Sequence, residues 1–243
     1  MPRERPFSIF TALIGTIALG ACAAPVIPRL PPPDPSLTDA EIEARIAFIE
    51  ERLEGSRRHA HLWNLGWWIA NGVGVATGTA EVAAADDGSE RAAGVVTVVL
   101  SLGGFAYQHF LPMRARFGAD PIRDLPDRTR EEKVARLEKA QELLEHDAER
   151  AAAQVDWKSH VGNAAVAAAA TGIVLASGDR KSPAFLTGAQ VLLGGEAQFW
   201  TEPAAPRRNI EDYVRRFRIG SSRASHRWQV VPQGAGLALR LDF

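Results

Sequence analysis

The side chains that carry out catalysis occur in this chain, but not with the spacing of known catalytic motifs. The sequence contains no nucleophile elbow, P-loop, dinucleotide fingerprint or His-Glu-x-x-His zinc helix. His59 and His61 are two residues apart, which places them on different faces of a helix. His146 follows Glu142 by four residues, but the sequence offers no third ligand nearby. The sequence therefore predicts a protein that is not an enzyme and that holds no cofactor or metal.

Polar residues within apolar segments are better candidates for a functional role: Asn71, Gln108, His109, Asn163, Gln190, Glu196 and Gln198. Four of them, Asn71, His109, Asn163 and Glu196, are the expected members of a buried network. A buried polar group needs a hydrogen-bond partner. Asn71 and Asn163 hold corresponding positions in two similar segments, so they can bond to each other across an interface. We interpret the four residues as a buried network that fixes helix register. A pocket around His109 and Glu196 for a small ligand or substrate is the less favoured alternative.

Composition excludes several classes of protein. The chain has 243 residues, 28 Lys and Arg against 29 Asp and Glu, 46% apolar residues and one cysteine. It is too apolar to be disordered, too poor in cysteine for a disulfide scaffold and too neutral for a nucleic-acid binder. Its length suffices for one or two domains with a hydrophobic core.

The N-terminal segment has the features of an export signal. Arg3 and Arg5 precede an uncharged apolar run, residues 7–19. The run ends in Leu19-Gly20-Ala21-Cys22, which resembles the lipobox of bacterial lipoproteins. The resemblance implies a signal peptide over residues 1–21, cleavage before Cys22, acylation of Cys22 and attachment to a membrane through the lipid. An ordinary secretory signal, with Cys22 incidental, is the alternative.

The residues after the cysteine bear on location and on the tether. Ala23 and Ala24 stand where retention signals of inner-membrane lipoproteins usually carry Asp, so the resemblance implies an outer-membrane lipoprotein that faces the periplasm. Residues 22–36 contain six prolines, which favour extended polyproline II. This segment is predicted to be a semi-rigid spacer between the membrane and the body of the protein.

The body of the chain has the pattern of a duplicated helical unit, residues 37–124 and 125–217. Each half is predicted to contain a charged amphipathic helix followed by an apolar hairpin rich in Gly and Ala, and Gly55 is expected to end the first amphipathic helix. Gly103-Gly104 corresponds to Gly194-Gly195 at an offset of 91 residues, and Asn71 corresponds to Asn163 at an offset of 92. The predicted fold class is mainly α, a duplicated three-helix unit with a small C-terminal β-hairpin.

The apolar hairpins allow two interpretations. Residues 92–111 are apolar enough to insert marginally into a bilayer, whereas residues 161–177 carry few large apolar side chains and Glu196 interrupts the last segment. The core helices of a water-soluble bundle are therefore the favoured interpretation. Hairpins that insert into a membrane, with the tryptophans at the interface, are the alternative.

The C-terminal part differs in character. A basic strip, residues 207–227, contains seven arginines, among them Arg215 and Arg216. Residues 218–243 are predicted to form a β-hairpin with one apolar face that includes Trp228 and Phe243. Two strands alone are marginal in water, so the hairpin must pack on the helices or on another chain.

Together these patterns predict a lipid-anchored protein of the bacterial cell envelope with a structural or protein-interaction role. An envelope protein is expected to bind through the hairpin or through the basic strip, and a homo-oligomer is a further option. No nucleic-acid partner is expected. A membrane-inserting assembly of α-helical hairpins is the alternative function.

Overall fold

The structure is a computed structural model that describes residues 26–219 and the backbone of residues 227–233 and 236–242. Leu19, Gly20, Ala21 and Cys22 lie outside the described residues. Signal cleavage and lipidation at these positions therefore stay predictions.

The described part of the chain is mainly helical, which confirms the predicted class. The elements are α1 (Asp39–Ala84), α2 (Gly88–Phe110), a 3₁₀ turn (Arg114–Phe117), α3 (Asp120–Arg123), α4 (Arg130–Ala153), α5 (Trp157–Ala176), α6 (Lys181–Thr201), α7 (Ala205–Phe217), β1 (Arg227–Gln233) and β2 (Gly236–Asp242).

The first helix is longer than the sequence pattern predicts. α1 runs without a break for 46 residues, so the expected end at Gly55 is wrong, and the first half of the chain has no separate amphipathic helix. One interior glycine costs a helix only about 1 kcal/mol relative to alanine, and the sequence has no proline between Pro35 and Pro112. In the second half the break is present, because Asp156 caps a new helix by accepting a hydrogen bond from the Lys158 backbone.

Two capping boxes start the charged helices at the same point of each half. Thr38 caps α1 and Thr129 caps α4, and the side chain three residues later, Glu41 or Glu132, reaches back to the cap residue's backbone N–H. Each box satisfies backbone donors that a helix start leaves without a partner. These starts follow from local sequence alone.

The N-terminal half of α1 packs with α4 and α7 into what we call the polar bundle. Its apolar stripes meet in one core, and charged residues cover the outside. The hydroxyl of Tyr213 accepts a hydrogen bond of 2.9 Å from Gln141 Nε2, which satisfies the phenol inside this core. The fully buried large side chains are Ile42, Ile49, Ile122, Leu137, Leu144, Ile210 and Tyr213.

The proline-rich segment lies against this bundle. Ile27 and Leu30 pack on its core, the Leu30 backbone donates to Glu145, and Arg29 lies 3.4 Å from Glu149. Residues 26–36 are therefore held along the polar bundle and do not extend away from it as the predicted semi-rigid spacer would.

The C-terminal half of α1 packs with α2, α5 and α6 into what we call the apolar unit. Its buried apolar cluster is small and consists of Val96, Ala170, Val174 and Ala184. Most of its large apolar side chains are exposed instead, which is unusual for a water-soluble monomer. They include Leu62, Leu65, Trp68, Ile69, Val73, Val95, Val99, Leu102, Tyr107, Phe110, Trp157, Val161, Val166, Ile173, Phe185, Leu186, Leu193 and Trp200.

Small residues let the helices of the apolar unit approach closely. A Cβ added at Gly94 would lie 2.7 Å from the Gly78 carbonyl oxygen, so α1 and α2 meet backbone to backbone. At the far end of the unit, Arg180 at the start of α6 pairs with Asp87 and Glu90 at the start of α2. This contact ties the turn of one hairpin to the turn of the other.

The two C-terminal strands pair antiparallel, with Arg227 opposite Asp242 and Gln233 opposite Gly236. Their side chains and Phe243 lie outside the described residues. The interaction roles expected of Trp228 and Phe243 therefore stay predictions.

A buried contact between an arginine and a carboxyl group lies where the polar bundle meets the apolar unit. Arg150 Nε of α4 lies 3.2 Å from Glu202 Oε1, directly after α6. Burial raises the pKa of the Glu202 carboxyl from its ordinary value of 4.5 to about 7, although Arg150 acts in the opposite direction. The folded protein therefore holds this proton between pH 4.5 and 7, whereas the unfolded chain releases it.

Glu202→Gln is expected to remove part of the pH dependence of stability. With the folded pKa above the unfolded one, the stabilisation by the protonated carboxyl is lost as the pH rises from about 4.5 to about 7. The loss is on the order of 3 kcal/mol. Thermal unfolding at pH 5 and pH 8 should show a larger fall for the native chain than for Glu202→Gln. Equal falls would contradict the raised pKa.

Candidate functional site

A buried carboxylate lies inside the apolar unit, near its junction with the polar bundle. Glu196 of α6 is 4% exposed, and its Oε2 lies 2.7 Å from His160 Nδ1 of α5. Its other oxygen accepts a hydrogen bond of 3.0 Å from Asn163 Nδ2, which also donates to the Leu192 carbonyl at 2.9 Å. Both oxygens of Glu196 therefore have hydrogen-bond partners.

His160 completes this cluster and was missed in the sequence analysis. It lies three residues before Asn163 in the first turn of α5, so the two side chains share a helix face. That spacing is a signal readable in the sequence. The separation of 36 residues from Glu196 is not such a signal, because only the packing of α5 on α6 brings these groups together.

A cleft of about 290 Å³ with both apolar and polar lining residues opens between the two hairpins beside this cluster. Asn71 from the first hairpin and Asn163 from the second both line it. The expected hydrogen bond between the two asparagines is absent from the described residues. The other polar lining residues are Thr97, Ser101, Thr187, Gln190 and Gln198. The cleft offers hydrogen-bond donors and acceptors and has no charged lining residue, so it suits water or an uncharged polar solute.

One predicted member of the buried network is wrong. His109 is exposed, and its ring packs edge-on against Phe110. The neighbouring Gln108 is buried in its place, and neither side-chain amide atom has a hydrogen-bond partner among the described residues. Adjacent helical residues point about 100° apart, so the phase of α2 on its neighbours decides which of the two is inside.

In each hairpin, an asparagine side chain of one helix packs against a glycine of the other helix. A Cβ added at Gly104 would overlap the side chain of Asn71, and a Cβ added at Gly195 would overlap that of Asn163. Gly103 and Gly194, the preceding residue in each helix, have no atom within 4 Å of the same position. In both hairpins the second glycine of the pair therefore makes room for a polar side chain.

Gly195→Ala is expected to destabilise the protein by about 1–3 kcal/mol, because the new methyl group overlaps Asn163. Asn163 cannot move aside without losing its bonds to Leu192 and Glu196. Gly194→Ala is the matched control and should be neutral or stabilising, since alanine is the better helix former. Thermal unfolding followed by circular dichroism compares the two. Equal unfolding temperatures would contradict the contact.

The expected interaction residues on α7 lie on the surface of the polar bundle. Arg215 is exposed and pairs with Asp212 on its own helix. Arg216 is also exposed, and its guanidinium lies 5.3 Å from the centre of the Phe48 ring. Both arginines are thus accessible on the surface of α7.

Within the described residues, no group of three or more His, Cys, Asp or Glu side chains is arranged to hold a metal ion. Comparison with protein-family models, curated proteins and solved structures finds no match for this chain.

Proposed function

We propose that this protein is a lipid-anchored envelope protein whose apolar unit lies in a lipid bilayer and whose polar bundle lies in water on one side. The observation that carries the proposal is the exposure of apolar side chains along the whole apolar unit. α2 and α5 are long and apolar enough to cross a membrane by length and composition, and only 11% and 17% of their most apolar windows are buried. A core helix of a soluble protein would be mostly buried.

The dimensions of the apolar unit support this proposal. α2, α5 and α6 have 23, 20 and 21 residues. At 1.5 Å per residue they are about 30–35 Å long, which matches a hydrocarbon core of about 30 Å. The close Gly78–Gly94 approach is the kind of contact that associates helices in lipid.

Aromatic side chains at one end of the unit support an interfacial position. Trp68, Tyr107, Trp157 and Trp200 are all exposed, and each lies at the end of its helix segment that adjoins the polar bundle. Trp and Tyr concentrate at the level of lipid headgroups. In the proposed orientation this aromatic belt marks the interface on the side of the polar bundle.

The opposite end of the unit carries charge. The turn between α1 and α2 contains Asp86 and Asp87, and the turn before α6 contains Asp179 and Arg180. Polar groups at both ends with an apolar band between them favour a unit that crosses the bilayer over one that lies flat on its surface.

In this arrangement the N-terminal lipid and the hairpins can enter the same membrane. Residues 26–36 lie along the polar bundle, so a lipid on Cys22 would enter the membrane from the same side as that bundle. We propose that the polar bundle, with exposed Arg215 and Arg216 and the C-terminal hairpin, presents an interaction surface for another envelope protein.

We further propose that the two halves arose by duplication. Asn71 on Gly104 and Asn163 on Gly195 are equivalent contacts at nearly the same offset in sequence. The missing break in α1 is the main departure from the pattern.

Carbonate extraction tests the membrane proposal. The native signal is replaced by a cleavable signal without a lipobox, and the chain from residue 23 onward is expressed in a diderm bacterium. Retention in carbonate-washed membranes without the lipid is the expected result, because the hairpins themselves insert. A soluble, monodisperse body, or a soluble oligomer that covers its apolar faces with further copies, would overturn it.

A further inference from the structure

A large basic cleft lies where the charged half of α1 passes into the apolar half. Its volume is about 750 Å³. One side consists of successive turns of α1, which contribute Arg57, Arg58 and Asn64, and the other side is the 3₁₀ turn with Arg116. In the proposed orientation this is the level of the aromatic belt, since Trp68 also lines the cleft.

A glycine in an unusual conformation allows the 3₁₀ turn to approach α1. Gly118 has a φ of 57°, and a Cβ there would lie 2.7 Å from Glu54 Oε2 and 3.0 Å from Arg57 Cδ. Only glycine adopts this positive φ and leaves room for Glu54 and Arg57 without strain. The turn therefore holds Arg116 against α1, where its guanidinium donates to Asn64 Oδ1 at 2.9 Å.

The cleft carries a surplus of positive charge. Three arginines and His61 line it, against one acid, Glu54. Arg57 is paired, with Glu54 and with Asp120 at 2.9 Å. Arg58 is exposed and makes no hydrogen bond or ion pair within the described residues. An anion in the cleft would thus meet a cation that the fold leaves available.

Buried donors at the cleft lack acceptors. Asn64 is 7% exposed, and its Nδ2 has no hydrogen-bond partner among the described residues. The Nε of Arg116 is also buried and unbonded. A buried donor without an acceptor is costly, and a phosphate group supplies several strong acceptors to such an arginine site.

The remaining wall of the cleft is apolar and exposed. It consists of Leu65, Trp68 and Phe117. An apolar wall makes no favourable contact with a free inorganic anion. The acyl chains of a lipid can pack against it while the phosphate binds beside it. Basic pockets at the ends of membrane helices suit anionic headgroups for the same reason.

We propose that the basic cleft binds the phosphate headgroup of an anionic phospholipid, with the acyl chains along Leu65 and Trp68. This proposal rests on the proposed membrane position of the apolar unit. Arg58 and Arg116 bind the phosphate, and Asn64 donates the additional hydrogen bond.

Native mass spectrometry of the full-length protein in detergent tests the proposal with two probes, phosphatidylglycerol and phosphatidylcholine. The expected result is at least tenfold tighter retention of phosphatidylglycerol. Arg58→Gln together with Arg116→Gln should reduce that preference at least fivefold. Arg58→Gln alone should reduce it in the same direction, and it breaks no contact of the described residues, so misfolding cannot explain its effect.

Arg91→Gln is the matched control. Arg91 lies at the opposite end of the apolar unit, and its exposed side chain makes no hydrogen bond or ion pair among the described residues. It should leave the preference unchanged. Equal retention of the two lipids, or equal effects of Arg58→Gln and Arg91→Gln, would overturn the proposal. Displacement of phosphatidylglycerol by an equal concentration of inorganic phosphate would also overturn it, because the site would then be a phosphate site.

Carbonate extraction separates this test from that of the proposed function. A chain that resists extraction but shows no lipid preference overturns the headgroup site alone. A chain that is fully extracted overturns the membrane position and the bound-lipid geometry with it.

Discussion

Val99→Asp combined with Leu193→Asp should move the non-lipidated chain from carbonate-washed membranes into the soluble fraction. Val99 and Leu193 lie near the middle of α2 and α6 and are 60% and 65% exposed. In lipid, each charge at a helix centre costs about 2.5–3.5 kcal/mol. In water, the same substitutions of exposed residues change the free energy of unfolding by only about 0.5 kcal/mol in either direction.

Val26→Asp is the matched control for this experiment. Val26 is 88% exposed and lies in the segment that precedes the polar bundle. The substitution should leave the protein in the membrane, since it adds the same charge where water is expected. A double variant that stays in the membrane as firmly as Val26→Asp would contradict insertion of α2 and α6.

The second large effect is expected from Glu196→Ala. The substitution leaves His160 and Asn163 without their shared partner between α5 and α6. Each buried polar group left without its hydrogen-bond partner costs about 1–3 kcal/mol. Thermal or denaturant unfolding of the purified protein in detergent, followed by circular dichroism, measures the loss.

A double-mutant cycle separates the pair from general damage to the helix. His160→Ala with Glu196→Ala should lose clearly less than the sum of the two single variants, because neither side chain is then left without its partner. Gln198→Ala, on the same helix and beside the same cleft, is the control and should lose little. Additive losses in the cycle would contradict a coupled pair.

The polar cluster of Glu196, His160 and Asn163 lies inside an otherwise apolar unit. Ionisable side chains within membrane segments are rare and commonly functional. Glu196 and His160 contact each other beside Asn163, which lines the cleft between the two hairpins. The unfolding experiments measure how much of this cluster's role is structural.

Several features could be predicted from the sequence because their causes are local. The capping box of Thr38 and Glu41 starts α1, and Asp87 starts α2 by accepting a hydrogen bond from the Glu90 backbone. The apolar hairpins and their charged turns likewise follow from composition and helical spacing. The pairing of Gly195 with Asn163 was visible only as two matched positions, without their contact.

Other features depended on how far-apart segments pack. The sequence predicts buried core helices, but in the structure much of the surface of α2 and α5 is uncovered by any other element among the described residues. Periodicity can tell that a face is apolar, and it cannot tell what covers that face.

Packing between distant segments also decided the contacts of the Glu196 cluster and of the basic cleft. The exchange of His109 for Gln108 in the interior was decided by helix rotation, and Glu196 met His160 only through the packing of α6 on α5. Arg116 reached Asn64 through the left-handed Gly118. By itself the sequence determined which segments are helical, where they start and which faces are apolar, because those properties arise within a few residues. Tertiary structure alone decided which side chains are buried and which charges meet, because those contacts join residues tens of positions apart.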